Sequence, residues 1–201
     1  MAAALTRKTV CNTTSHPARQ AGRAVPHCIG FPKPNISVRM NKLRIISGGQ
    51  TGVDRGALDA AMELGIEHGG KCPQGRLAED GTIPRKYQLK ELPSRRYSVR
   101  TEQNVIESDA TLILHYGELS GGTEFTRRMA IKNAKPYFLY DLTQPAELDE
   151  VLHWLADEQV GTLNCAGPRE SSCPGIQSLA RQLCRELFAR ATAASTDAPA
   201  S

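Results

Sequence analysis

The chain has 201 residues, 40% of them hydrophobic, and a formal net charge of +4; at this size a single domain around one core is the expectation. The charge is lopsided, because six of the 25 basic residues and none of the 21 acidic ones fall in residues 1–39. The remainder is slightly acidic and is no generic nucleic-acid binder. No apolar run approaches the ~18 residues that would cross a bilayer. The six cysteines (Cys11, Cys28, Cys72, Cys165, Cys173, Cys184) form no C-x-x-C pair and no finger-like Cys/His spacing, which argues against a structural zinc site or a dense disulfide framework.

Residues 1–39 are rich in Ser, Thr, Ala, Pro and Arg without hydrophobic periodicity, and a disordered extension is expected there. An organelle transit peptide is one explanation. The preferred one is sequence upstream of a start at Met40, with a cytoplasmic protein as the consequence. From residue 42 onward short aliphatic runs alternate with helical spacing, the signature of a βαβ protein. Strands are predicted at 43–47, near 66–70, and at 111–115, 136–140 and 160–165. Helices are predicted at about 53–64, 99–107, 123–134, 145–158 and 174–190. The last two carry i, i+3, i+4, i+7 stripes (Leu148, Val151, Leu152, Leu155; Ile176, Leu179, Ala180, Leu183, Leu187) that read as core faces. The fold class is therefore α/β: one three-layer Rossmann-like domain over residues 40–190 with a mostly parallel sheet of about five strands, followed by a disordered tail at 191–201. Residues 71–97 form a long polar segment with Pro and Gly, expected to be functional or mobile.

The turn after the first strand, SGGQTGVDRG, supplies Gly48, Gly49 and Gly52, whose missing side chains permit positive φ and close backbone approach. The helix behind it offers free N–H groups to an anion. It is neither G-x-G-x-x-G nor a P-loop. A second such turn, GELSGGTEF, places Gly121, Gly122 and Thr123 at the next helix start, and both turns would face one crevice if their strands were neighbours at a reversal of winding. Each helix start carries an acid, Asp54 and Glu124. Asp54 fits a capping box with Thr51; the other reading is an acceptor for sugar or ring donors, which makes the ligand part anionic and part hydrogen-bond donor. Arg100 and Asn104 share a helix face at i, i+4 and precede the strand that feeds the second turn. Arg169 lies at a rim after the last strand and reads first as a solvated loop residue. Cys72, with no Cys or His at ligand spacing, is not expected to bind metal, and no metal site is inferred.

With SGGQTGVDRGALDAA, GGKCPQGRLAEDGTIP, RTEQNVIESDATLIL, GGTEFT and LNCAGPRESSCPGI in order over residues 43–188, the chain resembles the putative molybdenum carrier family, in the YpsA-related branch of the SLOG superfamily of Rossmann-like nucleotide-ligand binders. The resemblance implies ligand contacts at Gly48, Gly49, Gln50, Thr51, Gly52, Arg100, Gly121, Gly122 and Thr123. It does not imply catalysis. The related LOG-type phosphoribohydrolases carry a catalytic Glu where this chain has Thr126, and of their second motif only Arg100 is kept, beside Thr101 and Asn104. The leading expectation is a carrier or sensor of a small phosphorylated heterocycle, either the molybdenum cofactor or a nucleotide. The rival is a nucleotide phosphoribohydrolase using Glu124 as general acid and Arg100 as orienter. Nucleic acid and membrane are not expected as partners, while pairing into a homo-oligomer through helix faces is in keeping with such a domain.

Overall fold

A computed structural model describes residues 43–196; the extension expected at 1–39 lies outside them. The run LRII gives β1 (Arg44–Ile46), with Ile45 and Ile46 both buried, as a strand covered on both faces requires. It is followed by α1 (Val53–Glu63) and β2 (Glu67–Gly69). The later elements are α2 (Tyr97–Glu107), β7 (Ala110–His115), α3 (Gly121–Lys132), β8 (Tyr137–Asp141), α4 (Leu148–Asp157), β9 (Thr162–Ala166) and α5 (Ile176–Thr196). Between β2 and α2 lie four two-residue strands: β3 (Lys71–Cys72), β4 (Leu77–Ala78), β5 (Gly81–Thr82) and β6 (Lys90–Glu91).

The main sheet has five strands in the order β2-β1-β9-β7-β8, every pair parallel. β9, last in the chain, is therefore the central strand, with Leu163 opposite Ile45 and Cys165 opposite Leu112. One face carries the main core. There Ile45, Leu112, Leu114 and Leu163 meet the small residues Ala57, Ala60 and Ala61 of α1, and Ala180, Cys184, Leu187 and Phe188 of α5. On the other face Val105 of α2 packs with Met129 and Ala130 of α3. Helices on both faces of a parallel sheet make the three layers that the alternation predicted.

Most element ends shift by one to three residues from the expectation, and two departures are larger. α5 continues through Thr196, six residues past the predicted end, because fully buried Ala191 extends the stripe of Leu187 by one turn; the tail placed at 191–201 is helical over its first six residues. The segment 71–97 is also more than a loop. β3 pairs with β6, β4 with β5, and Leu58, Cys72, Ile83, Tyr87 and Leu89 bury a core of their own. Its polar composition hid this, because the organising residue is charged. Arg76, buried with φ 53°, donates to the carbonyl oxygens of Ile83, Pro84, Tyr87 and Leu89 at 3.0–3.1 Å. A planar guanidinium matches four carbonyls that a single ammonium cannot span. Arg76→Lys is expected to cost about 2–4 kcal/mol, more than one charge-assisted hydrogen bond. Urea unfolding measures it; a variant within about 0.5 kcal/mol of wild type, the scatter of neutral surface changes, would show that the fork is dispensable.

Candidate ligand-binding site

A cavity of about 490 Å³ opens at the carboxyl ends of β1, β9 and β7, the edge where ligands of open α/β sheets are held. The strands feeding the two glycine turns are not neighbours, since β9 runs between them. Both turns still reach the cavity, because Asn164, Cys165 and Ala166 of β9 form its floor and Gly167, Pro168 and Arg169 part of its rim.

The first turn is largely closed by the protein itself. A Cβ at Gly48 would lie 1.4 Å from Arg100 Nη1, so the glycine makes room for an arginine of α2. That Nη1 is 2.7 Å from Asp54 Oδ2, with side-chain exposures of 12% and 6%. Asp54 also accepts from the Gln50 N–H at 3.2 Å. The expected capping box is absent. Gly52 is the residue before the helix and no side chain caps it; the Thr51 N–H donates to Gln50 Oε1 at 3.0 Å, and the Thr51 hydroxyl donates to Glu79. Asp54 is drawn instead to the arginine, the stronger donor. Gly49, with φ 71°, faces away from the cavity, where a Cβ would strike Leu89 Cδ1 at 2.4 Å. Of this turn only Gly48, Gln50 and Asp54 line the cavity; Gly49, Thr51 and Gly52 do not.

The second turn is open. Gly121 and Gly122 line the cavity together with Thr123, and a Cβ on either glycine meets nothing within 4 Å. The Ser120 carbonyl accepts from the N–H groups of Thr123 and Glu124; those of Gly121 and Gly122 precede the first intrahelical bonds of α3. Thr126, buried, donates its hydroxyl to the Gly122 carbonyl at 3.0 Å. Glu124 lies off the cavity, bound through both carboxylate oxygens to Arg127 at 2.8 Å. That guanidinium holds the carboxyl below the usual carboxylate range, and Glu124 is not placed on the cavity wall as the rival hydrolytic reading requires. Asn104 lines the cavity, but its amide clamps β3, accepting from the Lys71 N–H at 2.7 Å and donating to the Lys71 carbonyl at 3.1 Å.

Sequence reasoning missed Tyr97, three residues before Arg100 on the same helix face. The guanidinium groups of Arg100 and Arg169 lie 6.0 and 5.5 Å from its ring centroid, within cation–π range, so Arg169 belongs to the cavity wall as well as to its rim. It missed the supports too. Arg55 is buried and binds Asp80 bidentately at 2.6 and 2.7 Å while its Nε donates to the Gly49 carbonyl. Cys72 is fully buried on β3, and burial pushes its thiol up. Among the described residues no group of three or more His, Cys, Asp and Glu could hold a metal, and no helix is long and apolar enough to cross a membrane.

A parallel three-layer sheet with a cavity at its carboxyl edge is a Rossmann-like domain. The chain belongs to the circularly permutated YpsA SLOG family, whose model matches residues 45–188; a final strand at the centre of the sheet is in keeping with a permuted connectivity. The crystal structure of a protein described as a putative molybdenum carrier from Syntrophus aciditrophicus SB is 40% identical, with a TM-score of 0.68 and a match covering 75% of this chain and 96% of that one. No curated protein matches the chain.

The Asp54–Arg100 pair makes a prediction about stability. Asp54→Ala leaves a buried guanidinium without its anion and is expected to cost about 3–5 kcal/mol, whereas Asp54→Ala with Arg100→Met should cost less than that single change. Chemical denaturation of the four members of the cycle tests this; additive losses would mean that the two side chains act independently.

Proposed function

We propose that the chain binds a small phosphorylated heterocycle in this cavity, phosphate on the open start of α3 and the ring toward Tyr97, and acts as a carrier or sensor of that ligand. The observation that carries the reading is the asymmetry of the turns: the cradle at Gly121 and Gly122 is unobstructed, while that of the first turn is filled by Arg100. Backbone N–H groups at a helix start, together with the helix dipole, form an anion site. The description of the Syntrophus protein as a molybdenum carrier favours the molybdenum cofactor, a phosphorylated pterin, with a nucleotide as the other candidate. The phosphoribohydrolase reading needs Glu124 in the cavity beside Arg100, but Glu124 pairs with Arg127 off it.

Gly122→Ala is the cleanest test, because Gly122 has an ordinary φ in the first turn of α3 and an added methyl meets no protein atom. The apo protein should be as stable as wild type or gain up to about 1 kcal/mol. A phosphorylated ligand should lose about 1.5–3 kcal/mol, roughly tenfold to 150-fold in affinity, and its dephosphorylated counterpart much less. Calorimetric titration with molybdenum cofactor, AMP and adenosine, beside apo melting curves, supplies both readouts. Gly49→Ala should instead lower the melting temperature, since its Cβ strikes Leu89 at a positive φ. Equal losses for AMP and adenosine in Gly122→Ala, or none for any phosphorylated probe, would remove the anion site from the start of α3.

A further inference from the structure

One carboxylate outside the cavity joins three segments that surround it. Glu79, in the turn between β4 and β5, accepts from the Thr51 hydroxyl of the first glycine turn and from both the hydroxyl and the N–H of Ser171, the latter at 3.2 Å. Arg169 Nη1 stands 3.8 Å away. Thr51 Oγ1 in turn accepts from the Glu170 N–H at 3.3 Å. Glu79 itself is held from behind, its own N–H donating to Gln50 Oε1 at 2.9 Å, while its neighbour Asp80 is locked to Arg55. Its side chain is 17% exposed. Burial alone would raise its pKa, but the Ser171 and Thr51 donors, with Arg169, hold it below the usual carboxylate range.

The loop from Gly167 to Gly175 has few other ties. Its start is pinned by the bond from the Val53 N–H to the Pro168 carbonyl, and its end by Glu170, whose carboxylate accepts from the N–H groups of Gly175 and Gln177 at the start of α5. Between these, Ser172 and Cys173 line the cavity with their N–H groups reaching the Arg169 carbonyl, while the Cys173 carbonyl accepts from the Ile176 N–H at 3.1 Å and the Cys173 side chain packs at the edge of the main core. Beside that packing of Cys173, what ties this middle stretch to the first glycine turn and to the β4–β5 turn is the Glu79 bridge through Ser171 and the Thr51–Glu170 bond.

We propose that Glu79 is a positioning residue of the site: by accepting from Thr51 and Ser171 at once, it holds the loop between β9 and α5 against the first glycine turn, so that Ser172 and Cys173 stay on the cavity wall. The effect on affinity rests on the ligand reading above, whereas the effect on the loop does not.

The half-buried Cys173 reports on the loop without any ligand, because the other cysteines of the domain, Cys72, Cys165 and Cys184, are buried. N-ethylmaleimide labelling of the full chain, read at the Cys173 peptide by mass spectrometry, should speed up roughly tenfold or more in Glu79→Ala, the opening expected when a charge-assisted bond is lost. Glu79→Gln keeps an oxygen for Thr51 and the Ser171 N–H and offers an amide to the Ser171 hydroxyl, so it should label within about threefold of wild type. Ser171→Ala, which removes one arm at an exposed position, should fall between them. AMP affinity, measured by calorimetry on the same proteins, should weaken in Glu79→Ala and recover in Glu79→Gln. Wild-type labelling in Glu79→Ala overturns the proposal, as does equal acceleration in Glu79→Gln. Faster labelling with unchanged AMP affinity overturns the positioning role while leaving the ligand reading intact. If the wild-type protein has no AMP affinity, the nucleotide form of that reading fails and the labelling still decides the role of Glu79.

Discussion

The ion pair between Asp54 and Arg100 fixes the rest of the site. It joins the start of α1 to α2 across the end of β1, and it is almost wholly withdrawn from water. Two charges so placed carry a desolvation cost that only close geometry and further hydrogen bonds offset. The 2.7 Å contact and the Gln50 N–H on Asp54 provide both. The pair also demands space, and Gly48 provides it, since any side chain there would occupy the position of the guanidinium. The glycine-rich turn after β1 is thus shaped first around an internal cation. Its resemblance to a phosphate cradle is one of composition more than of accessibility.

The position of β9 has a second set of consequences. As the central strand it brings the loop that follows it between the two glycine turns, with Gly52 packed on Pro168 and Arg169. That loop has no sheet neighbour of its own beyond Ala166, and past the backbone bond from Val53 to Pro168 it is secured by side chains. The segment 71–97 supplies one of them through Glu79 and anchors itself through Arg55–Asp80 and the Arg76 fork. Charged residues appear here in place of apolar ones because the segment is too short and too polar to bury a large core. Backbone carbonyls and carboxylates are what it has to pair with, and buried arginines satisfy several of them at once.

The element pattern was legible because it is local. The β-branched runs and the helix stripes from Leu148 to Leu155 and from Ile176 to Leu187 each specify a strand or helix from their own spacing. The cavity lining was legible in part for the same reason: Gly48, Gln50, Asp54, Arg100, Asn104, Gly121, Gly122 and Thr123 all face it. The placement of Gly49, Thr51, Gly52 and Glu124 off the cavity was not legible, because that depends on which side of a turn each residue presents. Leu89, Glu79, Pro168 and Arg127 decide this, and all but Arg127 are distant in sequence. Arg76 and Glu79 escaped detection for a related reason: a charged residue in a polar loop has no periodicity to betray that it ties distant segments together.

The two glycine turns show how far composition can carry a functional argument. SGGQTG just ahead of α1 and SGGT at the start of α3 share the same small residues, and both are placed at the same edge of the same sheet. In the first, the absent side chains admit Arg100 and the backbone of the β9–α5 loop. In the second, they admit nothing from the protein, and 4 Å of open space remains where a Cβ would stand. What separates them is the segment packed above each one. The first turn lies under α2 and residues 71–97, whose charged side chains require backbone partners, while the second lies between β7 and α3 with the exposed Tyr116 beside it. A ligand that approaches the carboxyl edge therefore meets one end already neutralised by an internal pair and one end still presenting unpaired N–H groups. This polarity gives the cavity a direction, and it is the basis on which the proposed ligand is oriented, anionic end toward α3 and planar part toward the wall of Tyr97 and Arg169.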